Sequence, residues 1–335
     1  MSKHSVLVIG CGSIGERHLR CFQKTGRAVV TACESNTALL QKMVATYGVE
    51  GRSDWQAAVR EPFDAVVICT PAPLHVPMAT AALEAGRHVL VEKPLSHSLD
   101  GLDGLLRARD RAGRQVAVAY VLRTYPILTE ARAFLRGGPF GRMRQATVIT
   151  GQPFYFFRPA YAKTYYRDRR MGGGAIQDAL THTVNWVESV LGPTESVLCD
   201  CAHLELPDVE VEDTVHVATR HGDALANFSI NQFQSPNETT LQFNAAGGSV
   251  KIELHRARWG EFAKGASGWT WHDMPPLDRD TPFVTQAQAF LDQVEGQPSR
   301  LCSLEEAVST LRFNLSALAS AESGARVVCA SVHAR

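Results

Sequence analysis

Residues 5–15, Ser-Val-Leu-Val-Ile-Gly-Cys-Gly-Ser-Ile-Gly, decide the fold of the first part of the chain. Their apolar start predicts a strand that is covered on both faces, as in a parallel sheet, and a helix is predicted from their end to about Thr25. Between a strand and a helix, the G-x-G-x-x-G pattern lets main-chain amides approach a dinucleotide pyrophosphate at the positive end of the helix. We therefore predict cofactor contacts from Gly10, Gly12, Ser13, Ile14 and Gly15.

The next predicted strand, Ala28–Cys33, is followed by Glu34, which lies nineteen residues after Gly15. An acid near this spacing accepts a hydrogen bond from a ribose 2′-hydroxyl, and it repels a 2′-phosphate. Ser35 and Asn36 come next, so no adjacent arginine is present to bind such a phosphate. The pattern favours NAD over NADP.

Strands and helices continue to alternate up to about residue 124, which indicates βαβ units and a doubly wound parallel sheet. Two predicted strands, Ala65–Cys69 and Val89–Val91, end in the polar segments Thr70-Pro71 and Glu92-Lys93-Pro94. Pro94 cannot donate to a ladder, so its strand must stop there. Because the carboxyl ends of parallel strands meet at one edge, both segments are expected beside the glycine loop.

The pattern changes after residue 125, and short alternating strands joined by turns are predicted between about Val215 and Leu254. They indicate an α+β domain with a large open, mainly antiparallel sheet. One face of this sheet is expected to pack on helices, which leaves the other as a cleft wall or a subunit interface. The predicted α/β chain thus has a dinucleotide-binding Rossmann domain at residues 1–124 and a substrate-binding and oligomerisation domain at residues 125–335.

A segment rich in aromatic and arginine side chains runs from Phe154 to Arg170. Aromatic faces and arginine forks suit a polar, ring-shaped ligand, including one that bears a carboxylate. For most of these residues, the sequence favours a loop that packs its own aromatics and exposes its arginines. We expect one or two of them to contact substrate, with Tyr155, Arg158 and Tyr166 as candidates.

A helix is predicted from Gly172-Gly173-Gly174 to about Val190, and on it Asp178, His182 and Asn185 form one stripe. Apolar residues occupy the opposite face. Exposed helix faces usually carry lysine and glutamate, so this stripe is a candidate site. The spacing leaves open whether His182 is a neutral structural residue or a catalytic one.

The composition excludes several classes of function. Lysine plus arginine equals aspartate plus glutamate at 34 each, which argues against nucleic acid or an acidic membrane as partner. No run approaches the length of a spanning helix, and the start leads into a strand without a signal-peptide core. Eight scattered cysteines suit the cytoplasm, and Cys199-Asp200-Cys201 without a second cluster does not predict a metal site.

These motifs together resemble the Gfo/Idh/MocA family of oxidoreductases, which includes glucose-fructose oxidoreductase and inositol 2-dehydrogenase. The resemblance rests on five segments and covers nearly the whole chain. It is strongest over the first 125 residues and at Gly172–His182. The segments are the glycine loop, Thr70-Pro71 with His75, Glu92-Lys93-Pro94, Ala119–Arg123, and Gly172–Gly174 with Asp178-x-x-x-His182.

The resemblance implies roles for these residues. Thr70, Pro71 and His75 would line the nicotinamide half of the cofactor site, together with Glu92 and Lys93. It also implies that Lys93 lies beside the substrate, often next to a cis bond, and that Asp178 and His182 project into the same cleft. Arg123 and Asn185 complete the substrate candidates, and the implied assembly is a homodimer or homotetramer through the C-terminal sheet.

The chain departs from the family pattern at three positions. The family's frequent Asn is Val121 here, its usual Gly before the His is Leu180, and its frequent Asp after the His is Asn185. These differences put in doubt the substrate of the best-known members.

The expected function is NAD-dependent hydride transfer at a secondary alcohol or ketone of a sugar, cyclitol or sugar derivative, including acidic and amino sugars. Catalysis is assigned to Lys93, His182 and Asp178, and it is left open whether Lys93 or His182 moves the proton. Two alternatives remain on the same fold. One is a glycosidase or lyase that uses transient oxidation, and the other is a non-catalytic NAD-sensing regulator.

Overall fold

The computed structural model describes residues 3–331, which their internal contacts group into two units. The first unit contains the chain up to Thr124 together with Asp278–Ala307, and the second contains Tyr125–Leu277 and the chain from Val308 onward. We had expected all of residues 125–335 in the second domain. Asp278–Ala307 groups with the first unit because its helix contributes Phe290 to the core of that unit.

The first unit is built on a six-stranded sheet in the order β3-β2-β1-β4-β5-β6, with every neighbouring pair parallel. This is the strand order of a doubly wound dinucleotide-binding fold, so the Rossmann prediction is confirmed. The strands are β1 (His4–Ile9), β2 (Ala28–Cys33), β3 (Glu50–Arg52), β4 (Ala65–Ile68), β5 (His88–Val91) and β6 (Val116–Val118).

Helices on the faces of this sheet connect its strands. Asn36 caps the second helix by accepting a hydrogen bond from the Leu39 N–H, and Gly48 ends that helix in the left-handed conformation. The fifth helix begins directly after Gly101, which has a φ of +75°. The helices are α1 (Ser13–Lys24), α2 (Thr37–Tyr47), α3 (Trp55–Ala58), α4 (His75–Glu84) and α5 (Leu102–Ala112).

The second unit is built on a nine-stranded sheet in the order β14-β13-β12-β11-β7-β10-β9-β8-β15. All neighbouring pairs are antiparallel except β7 with β10, so the predicted mainly antiparallel sheet is confirmed. The strands are β7 (Gln145–Pro153), β8 (Ser196–Ala202), β9 (Thr214–His221), β10 (Ala224–Asn231), β11 (Phe233–Ala245), β12 (Gly248–Glu253), β13 (Arg258–Ala263), β14 (Thr270–Asp273) and β15 (Val327–Val328).

The remaining helices are α6 (Pro126–Gly137), α7 (Phe154–Phe157), α8 (Thr181–Leu191), α9 (Thr281–Val294) and α10 (Leu304–Ser323). Of these, α9 belongs to the first unit, and the boundary at Ala307 falls within α10.

The nine-stranded sheet has one buried and one open face. Val148 and Phe228 are buried at 0% and 1% exposure, whereas Ile149 and Leu225, on the other face of the same two strands, are 42% and 49% exposed. This alternation follows from side chains that point to opposite faces at successive positions. No helix within residues 3–331 is long and apolar enough to cross a membrane.

Candidate active site

The glycine loop after β1 has the backbone geometry of a dinucleotide cradle. Gly10 has a φ of +85°, and a Cβ built on Gly15 would lie 1.8 Å from the Gly10 carbonyl oxygen. Gly12 precedes α1 and is exposed, and a Cβ there would meet nothing within 4 Å. Ser13 and Ile14 are the first two residues of α1, so their N–H groups have no acceptor within the helix. The loop therefore fits a phosphate-bearing dinucleotide.

Glu34 lies directly after β2 and is held against this loop. Its Oε2 accepts a hydrogen bond from the Cys11 N–H at 2.8 Å, and its Oε1 accepts from the Asn36 N–H at 2.9 Å. A carboxylate has about four acceptor directions, so Glu34 can also accept a ribose hydroxyl. Its contact with the cofactor remains a prediction.

His75 connects the two polar segments that follow β4 and β5. Its Nε2 lies 2.7 Å from the Thr70 carbonyl oxygen and its Nδ1 lies 2.9 Å from the Pro94 carbonyl oxygen. Burial lowers the pKa of His75, although the hydrogen bonds with these two carbonyl oxygens oppose it. His75 is 1% exposed, which favours a role in spacing the two segments. Thr70 is half-buried and Pro71 is exposed beside it.

We call the segment Glu92-Lys93-Pro94 the lysine turn. Hydrogen bonds of the Glu92 side chain hold it in place. Glu92 is 5% exposed; its Oε1 lies 2.7 Å from His18 Nε2, and its Oε2 accepts from the Lys93 N–H at 3.0 Å. Burial alone raises the pKa of the Glu92 carboxyl, but the hydrogen bond with His18 and the charges of His18 and Lys93 outweigh it and lower that pKa. The Lys93–Pro94 peptide bond is cis, and the Lys93 side chain is half-buried.

In the second unit, a single π-helical turn, Ile176–Leu180, leads into α8. The turn follows Gly174, which has a φ of +87°. A Cβ on Gly174 would lie 2.4 Å from Glu212 Oε1, so only glycine fits both the conformation and the space. Such π turns are frequent at functional sites.

Glu212 is fully buried and binds the start of this turn. Its Oε1 accepts from the Ile176 N–H at 3.1 Å, and its carbonyl oxygen accepts from the Ala175 N–H at 3.0 Å. Its Oε2 accepts from Arg169 Nε at 2.7 Å, which joins the aromatic and arginine-rich segment to the same carboxylate. The helix that carries Asp178 and His182 therefore begins at a fixed position.

Asp178 and His182 lie on the π turn and the first turn of α8, and both side chains are partly exposed. The Tyr165 hydroxyl donates to Asp178 Oδ1 at 2.7 Å. Tyr165 is 41% exposed. A partly exposed carboxylate that is oriented by a tyrosine can accept a hydrogen bond from a polyol hydroxyl.

Asn185, the third member of the predicted stripe, turns into the core. It is 0% exposed, and its Nδ2 donates to Thr310 Oγ1 at 3.0 Å. The i, i+7 alignment assumed an α-helix throughout, but the wider π turn rotates the later residues relative to Asp178. The geometry favours a structural role for Asn185.

The other substrate candidates divide into buried and exposed residues. Arg123 is 2% exposed and donates to Glu306 Oε1 at 3.0 Å, which favours a structural role. Tyr166 is 2% exposed within an aromatic cluster, although its buried hydroxyl has no hydrogen-bond partner among residues 3–331. Tyr155 and Arg158 are exposed. Contact with substrate remains a prediction for each of them.

Three supporting residues were missed from the sequence, namely His18, Tyr165 and Glu212. The signal for His18 was its position three residues after Gly15, on the helix face that packs toward the sheet. Glu212 and Asp213 interrupt a valine-rich stretch, and buried acids in such a place are hydrogen-bonded. No group of three His, Cys, Asp or Glu side chains within residues 3–331 is arranged to hold a metal ion.

Comparison with known sequences identifies the family. The family described as "Oxidoreductase family, NAD-binding Rossmann fold" matches residues 4–120, and the C-terminal domain of the same Gfo/Idh/MocA family matches residues 128–251. The chain belongs to this oxidoreductase family. It is therefore an enzyme family member with an NAD-binding Rossmann domain, as the glycine loop predicted.

Relatives match over different lengths. An uncharacterized oxidoreductase of Rhizobium meliloti is 35% identical, but the match covers 34% of this chain and 33% of that protein. Inositol 2-dehydrogenase of Rhizobium meliloti (strain 1021) is 22% identical over 96% of each chain. A levoglucosan dehydrogenase solved with NADH and levoglucosan has a TM-score of 0.88 at 20% identity, covering 98% of this chain and 100% of that one. At this identity the structural likeness shows the fold.

Proposed function

We propose that the protein is an NAD-dependent dehydrogenase that acts on a secondary alcohol of a sugar, cyclitol or sugar derivative. The observation that carries the proposal is that Lys93, Asp178 and His182 keep partly exposed side chains while buried carboxylates hold the main chain beside them. The names of the relatives, inositol 2-dehydrogenase and levoglucosan dehydrogenase, support this substrate class.

When bound, the nicotinamide cofactor supplies the hydride chemistry. The residues of this chain transfer the proton of the reacting oxygen and stabilise the charge that develops on it. Imidazole exchanges protons near neutral pH, so we assign the general acid/base role to His182. Lys93 is assigned to stabilise the developing alkoxide by its positive charge, and Asp178 to accept a hydrogen bond from a substrate hydroxyl.

The variants Lys93→Ala and His182→Ala test these roles. We expect each to lower turnover by at least about 100-fold, in the range typical of lost acid/base or electrostatic catalysis, while NADH binding measured by fluorescence changes little. Lys264→Ala, at an exposed lysine in the second unit, is the matched control and should keep full activity. Full activity in Lys93→Ala or His182→Ala would remove that residue from the mechanism. NAD binding without turnover of any sugar, inositol or sugar acid would favour a regulator.

We assign the preference for NAD over NADP to Glu34. Its carboxylate is fixed by the Cys11 and Asn36 amides, so it cannot easily move away from an added phosphate. The expected result is a kcat/KM for NAD well above that for NADP, and a much smaller ratio in Glu34→Ser. An unchanged ratio in this variant would contradict the assignment.

A finer proposal concerns the charge of the substrate. In the segment that ends at Arg170, Arg169 pairs with Glu212 and Arg170 pairs with Asp168, whereas Arg158 is exposed and has no carboxylate partner among residues 3–331. An exposed cation beside exposed aromatic rings suits a sugar that carries an anionic group. Uronic acids should then be better substrates than the matching neutral sugars. Arg158→Gln should remove the preference and leave the rate with the neutral sugar unchanged.

We also propose a homo-oligomer that forms through the open face of the nine-stranded sheet, where Ile149, Leu198 and Leu225 are exposed. Light scattering should show a dimer or tetramer, and Leu225→Lys should shift the protein toward the monomer.

The cysteines bear on where the protein is located. All eight are free thiols, which supports a cytoplasmic location.

A further inference from the structure

We propose that His18 is a positioning residue for Lys93. Through the buried Glu92 carboxylate, His18 ties the helix that follows the glycine loop to the lysine turn. This inference rests on the role proposed for Lys93, but it concerns a residue of the cofactor-binding unit that stands outside the catalytic group.

The contact is short, buried and belongs entirely to the first unit. His18 is 1% exposed, and its Nε2 lies 2.7 Å from Glu92 Oε1. The other carboxylate oxygen of Glu92 accepts from the Lys93 N–H at 3.0 Å. One carboxylate therefore bridges a side chain of α1 and the main chain of the residue proposed to stabilise the reacting oxygen.

The direction of the hydrogen bond follows from the charge on Glu92. The pKa of this carboxyl is lowered despite its burial, so Glu92 is ionised and can only accept. His18 Nε2 must then carry the proton and donate it. The other ring nitrogen, Nδ1, is buried and has no hydrogen-bond partner among residues 3–331, so Glu92 is the polar contact of this ring.

The remaining contacts of His18 are aromatic and hold the ring in place. Its ring packs edge-on against Phe283 at 5.9 Å and is tilted against Phe22 at 6.5 Å. Without the imidazole, Glu92 Oε1 would lose its donor, and the carboxylate could rotate away from the Lys93 amide. Since α1 begins at the glycine loop, the same contact joins the cofactor-binding loop to the position of Lys93.

The test compares three variants of the full-length protein with NAD and the best substrate of the turnover panel. His18→Leu removes the donor, whereas His18→Gln keeps an amide N–H that can reach Glu92. Phe283→Leu is the control, because it weakens the packing of the same ring but keeps the hydrogen bond. We expect the kcat of His18→Leu to be about 10- to 100-fold below that of the wild type, as for a misplaced catalytic group. The kcat of His18→Gln should lie within about threefold of the wild-type value. KM for the substrate should change less than kcat.

The outcome separates positioning from packing. If His18→Leu and Phe283→Leu lower the melting temperature alike and both keep the wild-type kcat and pH–rate profile, the inference is overturned. If His18→Leu does not accumulate as folded protein, His18→Asn takes its place, because its amide is too short to reach Glu92. A kcat of His18→Asn equal to that of His18→Gln would then overturn the inference. Wild-type kcat in Lys93→Ala would instead overturn the proposed role of Lys93.

Discussion

Two buried carboxylates, one in each unit, hold the main chain beside the proposed catalytic side chains. In the first unit Glu92 accepts from the Lys93 N–H and from His18. In the second unit Glu212 accepts from the Ile176 N–H, two residues before Asp178, and from Arg169. Each buried carboxylate thus accepts hydrogen bonds from one main-chain N–H and one side-chain N–H, which satisfies a buried acid.

The two sites differ in how far their donors are buried. His18 is 1% exposed, whereas the Arg169 side chain is 42% exposed. Arg169 also belongs to the segment that presents Tyr165 to Asp178. The lysine turn is therefore fixed inside the domain core, while the helix of Asp178 and His182 is fixed by a surface segment. We infer that the second site tolerates changes in substrate shape better than the first.

The largest effect is expected from Gly174→Ala. The substitution forces alanine to a φ of +87° and places its Cβ 2.4 Å from Glu212 Oε1. Together these costs should destabilise the protein by about 3 kcal/mol or more and lower Tm by roughly 6–12 °C, with loss of turnover. Gly104→Ala in α5 is the control, since its Cβ would meet nothing within 4 Å, and it should stabilise slightly. Equal Tm values for the two variants would show that Gly174 is not constrained.

A smaller effect is expected from Glu212→Ala. The change leaves the Ile176 N–H without its acceptor and the half-exposed Arg169 without its partner, at a cost of about 2 kcal/mol. Because Asp178 and His182 would shift, kcat/KM should fall about tenfold. The Tm and the kcat/KM of Glu212→Gln should both lie between those of Glu212→Ala and those of the wild type. Glu210→Ala, at an exposed neighbour, should behave as the wild type, and an equal loss there would point to a general effect on the loop.

Candidate site residues can be found in the sequence more easily than the contacts that support them, for a physical reason. Gly10–Gly15, Glu34 and Lys93 stand out as candidates because each lies in a local turn at a strand end, which short motifs encode. The His18–Glu92 and Ile176–Glu212 contacts join residues 74 and 36 positions apart. Such pairs depend on tertiary packing, and no spacing rule predicts them from one sequence.

The dependence on contacts between distant residues also explains where the fold differs from the prediction. The alternation of strands and helices in the first unit follows from continuous apolar runs and from helical patterns of period 3.6, and it was predicted, although the short edge strand β3 was not. The return of Asp278–Ala307 to the first unit depends on Phe290 reaching a core formed by far earlier residues. The burial of Asn185 likewise depends on its contact with Thr310, which lies 125 positions later in the chain.

Tyr165→Phe should have a smaller effect, confined to the second site. The hydroxyl donates to Asp178 Oδ1 at 2.7 Å, but both groups are partly exposed, so the hydrogen bond is worth about 1 kcal/mol. We expect kcat/KM to fall about fivefold with no change in NADH affinity. A double-mutant cycle with Asp178→Ala, which removes the acceptor, provides the control. If the effects of the two substitutions simply add, the hydroxyl does not act through Asp178.

The smallest effect is the pH dependence that Glu92 contributes to stability. Hydrogen bonding and the charges of His18 and Lys93 lower the pKa of this carboxyl in the folded state, although burial opposes them. A lowered pKa contributes stability that is fully present above the pKa of the unfolded chain, about 4.3, and is lost as the pH falls through the folded value. Glutamine does not titrate, so the Tm difference between wild type and Glu92→Gln should be largest near pH 7 and should shrink as the pH falls below about 4. Melts at matched ionic strength would measure it, and a difference that stays constant or grows on acidification would mean that Glu92 is not ionised in the folded protein. In that case His18 need not be its donor, and the first site would differ from the second in charge as well as in burial.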